Sequence, residues 1–185
     1  MTTLDIPPAL SDADVALAVA VSSDGHHPKP VQAAVRVAGR AVLARYLGVR
    51  FRRVGLDLPG SGVAFDAMTD ALANALDTDR LADLMTVLAA GAVAAELVGG
   101  SAGDDEPAVA ASLAGARQSV EERIGRDYPF DAAGVARDFI RGRAIVLPMI
   151  LAVATALELH DSLSCRVIER LTTTVLELEA DNSGK

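Results

Sequence analysis

The 185-residue chain has no tryptophan, two tyrosines, four phenylalanines and one cysteine. With aromatic residues at 3%, a sheet-rich fold built on large rings is disfavoured, and helices packed through small apolar side chains are expected. The single cysteine, Cys165, allows neither an intrachain disulfide nor a four-cysteine zinc site, and fits a reducing compartment. Set among Leu163, Val167 and Ile168, it reads as a packed small residue and not as a nucleophile. Positive charge is also scarce: 17 Lys and Arg against 25 Asp and Glu leave a net charge of −8. Such a chain repels phosphate, so nucleic acid is excluded as a partner. Arg50, Arg52 and Arg53 form a local basic trio that reads as a solvated face. No long hydrophobic run occurs. The longest, Ala144 to Leu157, lies between Arg143 and Glu158 and contains Pro148. It is shorter than the ~20 residues a membrane span needs. The first residues carry no basic stretch, and Asp12 and Asp14 precede a short apolar run; a cytoplasmic protein with no membrane partner is the expectation.

What the chain does hold is alanine, 35 residues of it, within a hydrophobic fraction of 51% and a charged fraction of 23%. That balance excludes disorder. Residues 1–30 read as irregular and residues 31–180 as one domain, with 181–185 a tail. Val31 to Leu47 has a helical pattern that Gly48 ends, and Arg50 to Leu58 alternates like a half-buried strand before the Pro59–Gly62 turn. Phe65–Leu76 and Thr78–Val98 read as helices, broken at Gly99-Gly100. Asp104-Asp105-Glu106-Pro107 suits a helix start, because acids favour the positive end of the dipole and proline fits the first turn. One long helix is expected over Ala132–His160 with a kink near Pro148, and a last one from Ser164 to about Glu179. The fold class is therefore mainly α, with a small sheet near residues 50–65.

The first helix carries an oddity. At about 100° per residue, Arg36 and Arg40 share a face with Leu43 and Leu47, while Val31, Ala34, Val35, Val37, Ala38, Val42 and Tyr46 fill the other faces. A helix apolar nearly all round belongs in a core. Its two arginines then need partners, or else their stems lie along the surface with the heads in water.

The segment Ala33-Ala34-Val35-Arg36-Val37-Ala38-Gly39-Arg40 resembles the active-site helix of the FtsH-type zinc metallopeptidase domain, which reads H-E-A-G-H there. Residues Tyr46 to Val54 follow like that family's Arg-containing strand. Leu88 to Gly100 is similar to its A-G-x-A-A-E-x-x-x-x-G helix, and Ser101-Ala102-Gly103-Asp104-Asp105 to its G-A-S-N-D stretch. The likeness spans residues 31 to 178 and implies an FtsH-peptidase-like helical domain, here without the ATPase part, since no G-x-x-x-x-G-K-[ST] occurs.

In H-E-x-x-H, two histidines give lone pairs to zinc and the glutamate takes a proton from bound water. The resemblance puts Arg36 and Arg40 at the ligand positions, Val37 at the base position, and Asp105 at the third ligand. Arginine has no lone pair to give and valine accepts no proton, so no metal, no cofactor and no family chemistry are expected. Two arginines with one aspartate carry the same single positive charge as zinc with two neutral histidines and one aspartate. Arg36 and Arg40 could close on Asp105, with Asp104 taking the second arginine, or stay open, with Arg52, to an anion or peptide.

Other candidates are weaker: His26 and His27 diverge between prolines, and His160 sits at a helix end with an exposed or capping role. Asp104, Asp105 and Glu106 suit a helix N-terminus better than Mg²⁺ or Ca²⁺, and Gly60-Ser61-Gly62 is too short to cradle phosphate. The functional expectation is a non-catalytic, peptidase-like domain that binds or regulates a protein or peptide, with the 50–58 strand as an edge for an added segment. The alternative is an enzyme of another class that works on an anion in the Arg36/Arg40/Asp105 pocket. A metallopeptidase with other ligands is the residual reading.

Overall fold

A computed structural model describes residues 10–23, 31–59, 62–65, 78–100 and 107–183. Of the helix expected over Phe65–Leu76, Phe65 ends a strand instead and 66–76 lie outside the described residues, as do Asp104, Asp105 and Glu106 and His26 and His27. Within them the protein is mainly helical, with seven helices and one small sheet. The helices are α1 (Asp12–Ser23), α2 (Gln32–Leu47), α3 (Thr78–Leu97), α4 (Pro107–Ile124), α5 (Ala132–Arg141), α6 (Val146–His160) and α7 (Cys165–Ser183). The strands are β1 (Phe51–Gly55), β2 (Val63–Phe65) and β3 (Ser162–Ser164).

Helix α2 is the central element, buried without a break from Val37 to Ala44. It packs against α3 most extensively, then against α6. Each apolar side chain fully removed from water on such a helix contributes about 1.5–3 kcal/mol, and Val35, Val42 and Leu43 are all at 0% exposure. Gly48 ends α2 as expected. At φ 70° it adopts the left-handed conformation that costs glycine little, and its N–H and that of Val49 return to the carbonyls of Arg45 and Ala44.

Three findings differ from the sequence expectation. Residues 12–23 are helical and not irregular: α1 opens on a capping box in which Ser11 Oγ accepts from Asp14 N–H at 3.2 Å while the Asp14 carboxylate accepts from Ser11 N–H at 3.1 Å. The long helix over 132–160 is two helices bent by 99°, and the break falls before Pro148, which sits in the first turn of α6 where its missing N–H is tolerated. The last helix reaches Ser183, beyond Glu179. Ser164 does cap it, accepting from Val167 N–H at 3.4 Å. Among the described residues no single helix is long and apolar enough to cross a membrane.

The sheet is antiparallel in the order β2-β1-β3. Against β2, Phe51 pairs with Phe65 but Arg53 with Ala64, so one extra residue bulges out between them. The bulge explains why Phe51 and Val54, three apart, are both buried, against the strict alternation expected. Strand β1 is central, paired through Arg53 and Val54 on both sides. The expectation that it offers a free edge to an added segment is therefore corrected: the edges belong to β2 and β3.

Candidate functional site

The positions singled out on α2 lie where it crosses α3, and the crossing is built from the smallest residues. A Cβ placed on Gly39 would stand 2.7 Å from Ala94 Cβ and 2.9 Å from the Ala90 carbonyl oxygen. A Cβ on Gly91 would meet Arg40 Nε at 2.7 Å and the Arg36 carbonyl oxygen at 2.9 Å. The two backbones thus come nearly into contact, and the space left by Gly91 holds the Arg40 side chain.

Arg40 is at 0% exposure, and its Nε donates to the Leu88 carbonyl oxygen at 3.3 Å. Of the two alternatives, partnered arginines or heads in water, the second is ruled out for Arg40, because Gly91 opens a slot in the helix–helix contact that takes the guanidinium. Arg36, one turn earlier, is half-buried. An enzyme using Arg40 on an anion would need that guanidinium at a solvent-open cleft, and here it is enclosed between two helices.

Val37 points elsewhere. It is 6% exposed and packs beneath Gly62, where a Cβ would stand 2.3 Å from Val37 Cγ2. Gly62, at φ 67°, accepts the Gly55 N–H at 2.9 Å and so starts β2. Positions 37 and 40 therefore serve two different packing contacts. Arg52 is exposed on β1, and its neighbour Arg53 forms an exposed pair with Asp57 at 3.8 Å, a contact worth under about 1 kcal/mol.

The described chain reaches Gly100 beside Gln32, whose Nε2 would lie 2.5 Å from a Cβ on that glycine. Gln32 stands one turn before Arg36, so Gly100, just past the end of α3, lies next to the N-terminal end of the arginine face. Among the described residues, no three His, Cys, Asp or Glu side chains come together as a metal-holding group.

His160 is not an exposed cap. Its side chain is 22% exposed, and Nε2 lies 3.5 Å from Asp14 Oδ2, joining the end of α6 to α1. Hydrogen bonds from Ser11 hold the Asp14 carboxyl below its ordinary range, with His160 adding a smaller effect. The Arg170 guanidinium fastens the same end of α1 through Asp12 and through the Leu10 carbonyl at 3.3 Å. On the far side of α3, Glu96 accepts from Arg137 of α5 at 2.8 Å, and that guanidinium holds its carboxyl low. Burial, with Glu169 nearby, pushes the Cys165 thiol up, in keeping with a packed and unreactive residue.

One feature gave no signal in the sequence: a groove of about 630 Å³ between α3, α4 and the segment entering α5. Its lining mixes alanines with scattered apolar and polar residues from three separate segments, a combination that carries no local sequence signature. Compared with protein-family models, with curated proteins and with solved structures, the chain matches none.

Proposed function

We propose that this chain is a non-catalytic, FtsH-peptidase-like domain that binds a protein or peptide without cleaving it. The observation that supports the reading best is the state of the α2 positions. Val37 is packed under Gly62, and Arg40 is shut into the α2–α3 crossing with its Nε on the Leu88 carbonyl. Side chains that fill a former reaction site with their own packing suit a binding role, whereas an enzyme needs a cleft with a free acid or base.

In this reading Asp105 closes on Arg36 and takes the place of a metal link between α2 and the segment after α3. Five residues from Gly100 can span up to about 17 Å, and Gly100 already lies beside Gln32, about 6 Å along the helix from Arg36.

The test is to mix the protein with a labelled unfolded polypeptide, following anisotropy for binding and mass spectrometry for length. Saturable binding with the polypeptide intact is expected. Chelator-sensitive shortening would overturn the non-catalytic reading, and neither binding nor shortening would overturn the binding role.

A further inference from the structure

The groove between α3 and α4 has a construction of its own, independent of the α2 positions. Met85 and Ala89 of α3 and Leu113 and Ala114 of α4 form two sides, and Phe130 with Ala132 forms the third. The third wall is the segment leading into α5, whose non-helical residues 128–131 are pinned at two points by α4. Arg117 Nη2 donates to the Phe130 carbonyl oxygen at 3.1 Å, and Glu121 Oε1 accepts from Tyr128 N–H at 3.3 Å. Tyr128 and Phe130 stack with ring centroids 5.5 Å apart, which stiffens the wall further. Small residues along a fixed wall leave a concavity of about 630 Å³, inside the range of sites that hold small organic molecules.

The rim decides the ligand's charge. Arg117 is exposed, and among the described residues its partner is the neutral Phe130 carbonyl and no carboxylate. Its fork has donors to spare. The two rim acids are engaged with backbone donors: Glu121 with Tyr128 N–H, and Asp131 Oδ1 with Gly134 N–H at 2.8 Å as the cap of α5. Two carboxyl groups beside Arg117 disfavour a second anionic group on the ligand.

We propose that this groove binds a small amphipathic monocarboxylate, with its apolar body on Leu113, Ala114 and Phe130 and its carboxylate on Arg117. A free acid and the C-terminus of a peptide ending in an apolar residue present the same chemistry. The groove is closed on three sides and of small-molecule volume, so the free acid is the assignment.

The experiment is an amide NMR titration with octanoate, with 1-octanol, and with a hexapeptide ending in leucine. Octanoate should give saturable shifts confined to residues 113–121 and 128–133, and should bind roughly threefold tighter than octanol. Arg117→Gln should abolish that advantage, so that octanoate and octanol bind alike whatever the lost bond to the Phe130 carbonyl costs both, while Ala114→Trp should remove both. Both positions are exposed, and circular dichroism verifies that the variants fold. Shifts that fail to saturate or fall elsewhere would overturn the site, as would an octanoate advantage that survives Arg117→Gln. Tighter binding of the hexapeptide than of octanoate would overturn the free-acid assignment.

Discussion

Replacing Gly39 by alanine tests the α2–α3 crossing with one methyl group. The new Cβ would lie 2.7 Å from Ala94 Cβ and 2.9 Å from the Ala90 carbonyl oxygen. Neither atom can rotate out of the way, since one is fixed to the α3 backbone and the other belongs to it. Carbon atoms rest at about 3.5–4.0 Å, so the helices must part by about 1 Å. Overpacking against backbone sits at the upper end of such effects, about 2–4 kcal/mol. Alanine returns about 1 kcal/mol through its better helix propensity, leaving a net loss of about 1–3 kcal/mol. For a chain of this size each kcal/mol lowers Tm by about 2–4 °C. Gly115, in the middle of α4, supplies the control, because a Cβ there meets nothing within 4 Å. Gly115→Ala should therefore stabilise by about 0.5–1 kcal/mol. Urea unfolding followed at 222 nm reads both variants. A Gly39→Ala protein as stable as the parent would refute the close crossing, and with it the enclosed position of Arg40.

Three further outcomes are expected. Ser11→Ala should destabilise α1 by about 0.5–2 kcal/mol, seen as faster hydrogen exchange in residues 12–20. The Asp14 carboxyl is depressed in the folded state, so its contribution is complete above the unfolded value of about 3.9 and is lost as acidification proceeds below it. Protection of the α1 amides, taken relative to their slower intrinsic exchange in acid, that did not fall on acidification would argue against the capping box. Cys165 should react with iodoacetamide at pH 7 more slowly than it does in denatured protein, and equal rates would contradict its half-buried, packed position. Val37→Glu puts an acid beneath Gly62 and should cost about 3 kcal/mol or more; a small loss of stability would mean that position 37 has access to water.

The legible parts of the fold were those with strong local signals. Helix α2 could be bounded from its all-round apolar pattern and Gly48. Strand β1 was found but drawn too long, because the alternation over Arg50–Leu58 runs on through a turn at 56–58, whereas the strand stops at Gly55. Helix α1 was missed because Val15 to Val21 reads as a short apolar run, although Ser11 and Asp14 carried the capping signal. Strand β3 has three residues and no period to detect, and exists because β1 offers it an edge. The bend before α6 was placed at Pro148 on the assumption of one continuous helix, whereas the chain turns at residues 142–145, ahead of the proline. At the candidate site, the helical wheel put Arg36 and Arg40 on one face but could not separate them. Their different burial depends on Gly91, a residue 51 positions after Arg40 in the chain.

The slot at Gly91 has a bearing on how position 40 is interpreted. Helix surfaces of glycine and alanine are smooth, and two of them can slide or rotate past one another with little change in contact. A rigid, planar guanidinium lodged in a one-residue notch allows a single axial offset, so Arg40 acts as a locating pin that sets the alignment of α2 on α3. Any pressure to keep an arginine there would report mechanical alignment. A charged residue preserved at the centre of a protein invites a catalytic explanation, and here the same pattern would arise from a joint that has to be assembled one way only.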